Sequence, residues 1–440
     1  MKKIIGFLSL GLVAVSIVSC GKNNISNTSV LDNTSVLTTT KTDNSKPLKN
    51  LPTKVDVTKI YSNDSYNDFV IDYNDFSVDI LERLEKNNNN SNTSYSPLSI
   101  YSAISSMLPM LSDTAKEEVL QSLGMDIDEV EANTKILYSL SNDKNSILSN
   151  SIWFSDELNI NYDTVKKIAN TYYSEIFKID FASESNLINE YIKNHTNDLL
   201  DSCGPISDDT ILYILNTFYF NDAWSFDAKT NGHITRYFEN TDKSYETKTL
   251  YYSNYNSFEK SYITDDYKSY YLRSKNDYKL SFVIPLGDKK VSDIYNKENI
   301  KDIIEHNYYV RSDNNIVYNT RIAFPEFSAG FDDEITNVIK DMGINEIFNA
   351  DNNPFSNITT NNDVAAGSVW HRTKLNVNKD GMEGAAATSI IITEAATTYG
   401  GEIQNVYDTF YVDKSFFYVI EDKMGSIVFS GVVNKIDSDN

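Results

Sequence analysis

The chain has 440 residues and a net charge of −23, from 39 Lys and Arg against 62 Asp and Glu. That balance excludes recognition of nucleic acid or an anionic surface through a basic face. The two cysteines, Cys20 and Cys203, give no disulfide framework, and His195, His233, His306 and His371 show no metal-ligand spacing.

Lys2 and Lys3 precede an apolar run, Ile4 to Val18, that closes on Ile17-Val18-Ser19-Cys20-Gly21. A basic start, a short apolar stretch and a small residue before the cut describe an export signal over residues 1–19. The run is short for a transmembrane helix. Cys20 directly after Ser19 resembles a bacterial lipobox. This implies cleavage before Cys20, lipidation of that cysteine and anchoring of the exported chain in a cell membrane or outer membrane. More than one acyl chain satisfies the requirement for stable anchoring. Residues 20–62 are rich in Ser, Thr, Asn and Lys and hold no aromatic residue before Tyr61. Such a composition cannot bury a core and reads as a tether.

Beyond the tether, Phe76, Ile80, Leu81 and Leu84 form a helical stripe between Asn74 and Lys86. Ser99 to Met110 is apolar on nearly all faces, as a buried helix is. Asp163–Tyr173 and Asn186–Leu200 read as further helices. Ile211–Phe220, Leu280–Pro285, Ile316–Phe324, Trp370–Val377 and two C-terminal segments read as strands. Helices gathered early and strands late give the α+β class. Asp201-Ser202-Cys203-Gly204-Pro205 reads as a helix end and turn. A Cys203 nucleophile with His195 or His371 as base lacks any local signature.

The most informative segment is Gly381-Met382-Glu383-Gly384-Ala385-Ala386-Ala387-Thr388-Ser389-Ile390-Ile391-Ile392-Thr393-Glu394. It is poor as a loop, lacking polar turn residues. It is poor as a helix, because Thr, Ser and Ile follow the alanines. It suits an exposed stretch that later becomes a central strand. It keeps every N–H donor, since the last proline of the chain is Pro354. With Met382 facing inward, Gly384, Ala386, Thr388, Ile390 and Ile392 share its face. Glu383, Ala385, Ala387, Ser389, Ile391 and Thr393 take the other.

His371-Arg372-Thr373-Lys374-Leu375-Asn376-Val377-Asn378-Lys379-Asp380-Gly381 resembles the approach to the reactive-centre hinge of the serpins, the serine protease inhibitor superfamily. Met382 stands where threonine or serine is usual, and Lys374 where an apolar residue is common. Further resemblance lies in Tyr95-Ser96-Pro97-Leu98-Ser99-Ile100, in Asn150 to Phe154 followed by Phe177 to Phe181, and in Leu215 to Trp224. It continues in Phe324-Pro325-Glu326-Phe327, Ser415 to Ile420 and Ile427 to Val433. These motifs keep the family's order from about residue 66 to 436.

The resemblance implies a single serpin domain over 63–440. Its large mixed sheets would carry a helical layer and an exposed reactive-centre loop at about 379–412. It implies an inhibitor rather than an enzyme, without cofactor or metal. The inhibitor would be a monomer whose partner is a target protease held as a covalent acyl-enzyme. A non-inhibitory serpin acting as a surface binding module is the alternative. Gly381, Met382, Glu383, Gly384, Ala385, Ala386, Ala387 and Thr388 would form the hinge. Ser96, Ser99, Asn216, Trp224 and His371 would lie where the main sheet opens. Family spacing puts the reactive bond between Ala395 and Ala396, with Thr393 and Glu394 as alternative registers. A small residue there suits elastase-like or subtilisin-like proteases and excludes trypsin-like ones, which need a cation. The acidic chain also lacks the basic helix face of a polyanion-activated serpin.

Overall fold

A computed structural model of the chain describes residues 9–19, 64–88, 90–142, 146–257, 260–308, 316–361, 364–382 and 404–437. The tether with Cys20, the hinge from Glu383 onward and the candidate bonds at Thr393 to Ala396 lie outside these residues.

Among the described residues the chain forms sixteen strands, β1 to β16 in chain order. The largest sheet, sheet A, has six strands. These are β1 (Ser9–Ser19), β2 (Ser146–Ser155), β3 (Ser174–Ile179), β4 (Thr210–Phe220), β12 (Phe327–Glu334) and β13 (Val364–Val377). Their order across the sheet is β12-β13-β1-β4-β2-β3. Sheet B contains β8 (Tyr262–Ile263), β9 (Tyr267–Arg273), β10 (Lys279–Pro285), β15 (Phe416–Glu421) and β16 (Ile427–Val433). It runs in the order β16-β15-β10-β9-β8. Sheet C contains β5 (His233–Glu239), β6 (Tyr245–Tyr252), β11 (Ile316–Pro325) and β14 (Gln404–Tyr411), with the short β7 (Asn256–Ser257) paired to β11.

The helix Pro97–Met107 is the pivot of the fold. Ser96 caps its N-terminus, accepting from the Ser99 amide at 3.3 Å, and Pro97 occupies the first turn, where a missing N–H costs nothing. All eleven of its residues are buried, which fits its apolar composition. It packs on β1, β2 and β4 of sheet A and on β16 of sheet B. The main core lies between these two sheets. A second cluster lies on the opposite face of sheet A, under the helix Asn186–His195. There Trp153 stacks on Phe177 at 4.0 Å, and Tyr191 meets it edge-on at 5.6 Å. That helix is shorter than the pattern Asn186–Leu200 suggests, because Asn197 and Asp198 turn to left-handed φ values of 48° and 61°.

The expected strands are present, most with edges shifted by a residue or two, though β13 starts six residues earlier than its pattern. Helices Asp113–Leu123, Ile127–Leu140 and Lys297–Tyr308 join those read from periodicity. β1 was not expected as a strand, since it is the segment read as the export signal. It lies at the centre of sheet A, antiparallel to β4 on one side and to β13 on the other.

Candidate functional site: a strand slot and the hinge that leads into it

β4 and β13 both run antiparallel to β1, so they run parallel to each other with one strand position between them. That position is eleven residues long in β1. At its middle, Val13 pairs with Asn216 of β4 and with His371 of β13. Opposite residues of an antiparallel pair share a face. The neighbours Leu212, Ile214, Phe218 and Phe220 belong to the main core, so Asn216 faces that way, while Tyr213 and Leu215 face the second cluster.

Below the middle of the slot sits a buried polar group. The Ser96 amide donates to Nε2 of His371 at 3.1 Å. To accept that bond, Nε2 must be the ring nitrogen without a proton. Thr373 Oγ1 donates to the Ser94 carbonyl, and Asn216 Nδ2 donates to Asn150 Oδ1 at 2.6 Å. Asn150 in turn reaches the Tyr172 carbonyl at 3.0 Å. Four further buried atoms, Ser94 Oγ, Ser99 Oγ, Asn216 Oδ1 and Thr217 Oγ1, have no hydrogen-bond partner among the described residues. An unmatched buried polar atom costs about 1–3 kcal/mol. A seam of such groups weakens the middle of the sheet until something pairs with them.

Ser96, Ser99, Asn216 and His371 are therefore brought together as expected from the motifs. Trp224 lies apart from them, at the slot's entrance. Beyond β4 the chain continues through Asp222 and Ala223, and Gly381 bridges Ala223 in antiparallel register. The Met382 amide donates to the Asp222 carbonyl at 2.9 Å, and the Trp224 amide to the Asp380 carbonyl at 3.2 Å. Trp224 Nε1 donates to the Asn378 carbonyl at 2.8 Å. Asn378 Oδ1 accepts from the amides of Asp380 and Gly381 at 2.7 and 3.1 Å, which bends the chain out of β13. Met382 is fully buried in the main core. The hinge thus leaves β13, turns, and enters alignment with β4 over its first two residues.

Asp222, Asn378 and Asp380 were not singled out from the sequence. The Asp222 carboxylate accepts from the Asn276 amide and side chain at 3.0 and 2.9 Å. The Asn378-Lys379-Asp380-Gly381 stretch carried a legible Asx-turn signal. Cys203 is buried. His371 accepts from Ser96, and His195 is held by the Tyr191 carbonyl at 2.9 Å with Glu175 at 3.9 Å. Neither of these contacts is that of a base poised on a thiol.

The family model for serpins, the serine protease inhibitors, matches residues 72–436. The chain belongs to the serpin family. It is 25% identical over 380 residues to an uncharacterized serpin-like protein of Methanosarcina acetivorans, covering 82% of this chain and 84% of that one. Its fold is similar to the native state of the thermophilic serpin tengpin, with a TM-score of 0.68 and 20% identity over 84% of this chain and 94% of that one. It is equally similar, at 0.68 and 18% identity over 84% and 99%, to human thyroxine-binding globulin complexed with thyroxine. Serpins are in general protease inhibitors rather than catalysts, and their partners are target proteases. Some are not inhibitory, so the likeness of fold leaves the choice to the hinge and the slot.

Proposed function

We propose that this serpin is an exported, lipid-anchored suicide substrate of elastase-like or subtilisin-like serine proteases. The observation that carries the reading is the Gly381–Ala223 bridge with buried Met382. Pairs counted onward from that bridge set Gly384 opposite Phe220, Thr388 opposite Asn216 and Ile392 opposite Leu212. β1 holds the same places with Ser9, Val13 and Ile17. The eleven-residue slot would then take Gly384 to Glu394 and finish one residue before the Ala395–Ala396 bond. Gly384, Ala386, Thr388, Ile390 and Ile392 would face the main core. The one polar residue among them, Thr388, would meet the unpartnered Asn216 Oδ1 between Asn216 and His371.

The proposed chemistry follows from that placement. The protease serine attacks the Ala395 carbonyl and an acyl ester forms, while the Ala395–Ala396 bond breaks and the segment from Ala396 onward leaves with a new amine end that takes the serine's proton. The freed strand enters between β4 and β13, gaining ladder hydrogen bonds on both edges and burying Ile390 and Ile392 at about 1.5–3 kcal/mol each. The attached protease is carried to the far end of the sheet. Insertion of a cleaved serpin loop is a known case of strand addition. A non-inhibitory surface module would need a hinge barred from the slot, and the segment Gly381 to Thr388 has neither proline nor a bulky charge on its inward face.

The test is incubation of the processed chain, cut before Cys20, with an elastase. A complex that survives boiling in detergent is expected, and Gly384→Arg should abolish it while cleavage continues. Clean cleavage without any such complex would end the inhibitor reading. For the anchor, Cys20→Ser should move the protein from the membrane fraction to the soluble fraction. Unchanged membrane association would contradict lipidation at Cys20.

A further inference from the structure

The outer face of the slot is crossed by a strap. After the helix Asn186–His195 the chain passes through Asp201, Ser202, Cys203 and Gly204 on its way to β4. On the β4 side, the Tyr213 hydroxyl donates to the Cys203 carbonyl. On the β13 side, Arg372 Nη1 donates to Asp201 Oδ1 at 2.7 Å and to the Ser202 carbonyl and Oγ at 2.8 Å each. Its Nε sits 3.2 Å from Asp332 Oδ2 of β12. Two residues earlier on the same face, Trp370 packs against Gly204. A Cβ built there would lie 2.5 Å from the indole, and Gly204 has φ +64°, so both the close approach and the backbone require glycine. Tyr213 pairs with Ser16, while Arg372 and Trp370 pair with Leu12 and Ala14. The four-residue segment is therefore fastened to both strands that flank β1.

We infer that Arg372 closes this strap over whichever strand fills the slot, and so holds that strand in place. Arg372 is suited to the role because its planar guanidinium reaches two ways at once, Nη1 to Asp201 and Ser202 of the strap and Nε to Asp332 of β12, while a lysine ammonium is a point charge without that fork. Arg372 also holds the Asp201 carboxyl below its ordinary range, chiefly through their hydrogen bond. The strap's contacts lie on Tyr213, Trp370 and Arg372, which pair with Ser16, Ala14 and Leu12, so it spans the middle of the slot. Arg372 touches no reacting atom. It is a positioning residue for retention of the strand.

The consequence for inhibition rests on the loop-insertion reading above, but the strap itself is tested without it. In the full chain, backbone amides of residues 9–19 should exchange with deuterium at least tenfold faster in Arg372→Ala than in the parent, and by an intermediate factor in Arg372→Lys. Exchange over residues 416–433 in sheet B should stay unchanged. Unaltered exchange over 9–19, or equal acceleration in both regions, would overturn the proposal. A second arm uses the processed chain and an elastase. The covalent complex formed by Arg372→Ala should release active protease several-fold sooner than that of the parent. A parent that forms no complex, together with the selective exchange effect, would leave the strap standing and remove the inhibitor reading. Equal release from both complexes would overturn the retention role.

Discussion

Sheet B and the middle of sheet A are built on opposite plans. In sheet B every residue of β15 and β16 is buried, and most of them are aromatic or aliphatic, with Phe417 set edge-on to Tyr295 at 5.3 Å. Around the middle of the slot, by contrast, the buried side chains include the polar Ser94, Ser96, Ser99, Asn216, Thr217, His371 and Thr373. An apolar core is stabilised by burial and changes little with the strand beside it. A polar seam is stabilised by its partners, so its stability depends on what occupies the gap. The contrast makes sheet B a scaffold of burial and leaves the middle of sheet A dependent on the strand that fills it.

The largest effect that tests this contrast is Phe417→Ala. It leaves a cavity in the scaffold and should cost about 3–5 kcal/mol in denaturant unfolding, by the same amount in the intact and the nicked protein. A cost confined to one of the two forms would show that sheet B takes part in the change.

Two buried carboxylates close β15, Glu421 as its last residue and Asp422 just after it. Burial pushes Glu421 up to about 7, with Lys279 and the Asn307 amide at 2.5 Å opposing, and Asp422 up to about 6. A carboxyl whose folded pKa exceeds its unfolded one takes up its proton more readily when folded. The stability it contributes is present in full below the unfolded value of about 4.5 for Glu421 and is lost as pH rises to about 7. The scaffold should lose up to about 3 kcal/mol over that window through Glu421. In Glu421→Gln, melts between pH 5 and 8 should show a shallower fall. An identical slope in both proteins would remove Glu421 as the cause.

The smallest effect separates the seam from the scaffold. Thr388→Val should lower the stability of the nicked form by about 1 kcal/mol, through loss of a hydroxyl partner for Asn216, and leave the intact form unchanged. Equal stability of nicked parent and variant would place Thr388 elsewhere in the strand order.

Most of the scaffold was legible in the sequence because burial there follows simple periodicity. The all-apolar helix at Pro97 and the runs of β15 and β16 admit few other readings. The slot was legible only through motif residues, since Ser96, Ser99, Asn216 and His371 are ordinary polar residues until the fold sets them around one strand position. The turn at Asn378 had a local signal, but the bonds of Met382 to Asp222 and of Trp224 to Asn378 join residues far apart in the chain, and no local pattern encodes them. The strap was hidden for the same reason. Asp201 to Gly204 read correctly as a helix end and turn, but that Arg372 crosses a gap to meet it is a property of sheet order. β1 was not read as a strand, because the apolar run that suits a central strand also suits an export signal.

The central claim is that the slot between β4 and β13 accepts the cleaved loop. The direct measurement is a thermal melt of the processed chain, intact and after a single cut at residues 393–397 fixed by mass spectrometry. A severed loop ordinarily leaves stability unchanged or lower. Here the cut should raise the melting temperature by tens of degrees, and in the chain that retains β1, whose slot is already filled, it should raise it little. Equal melting temperatures for the intact and cut processed chains would contradict the account.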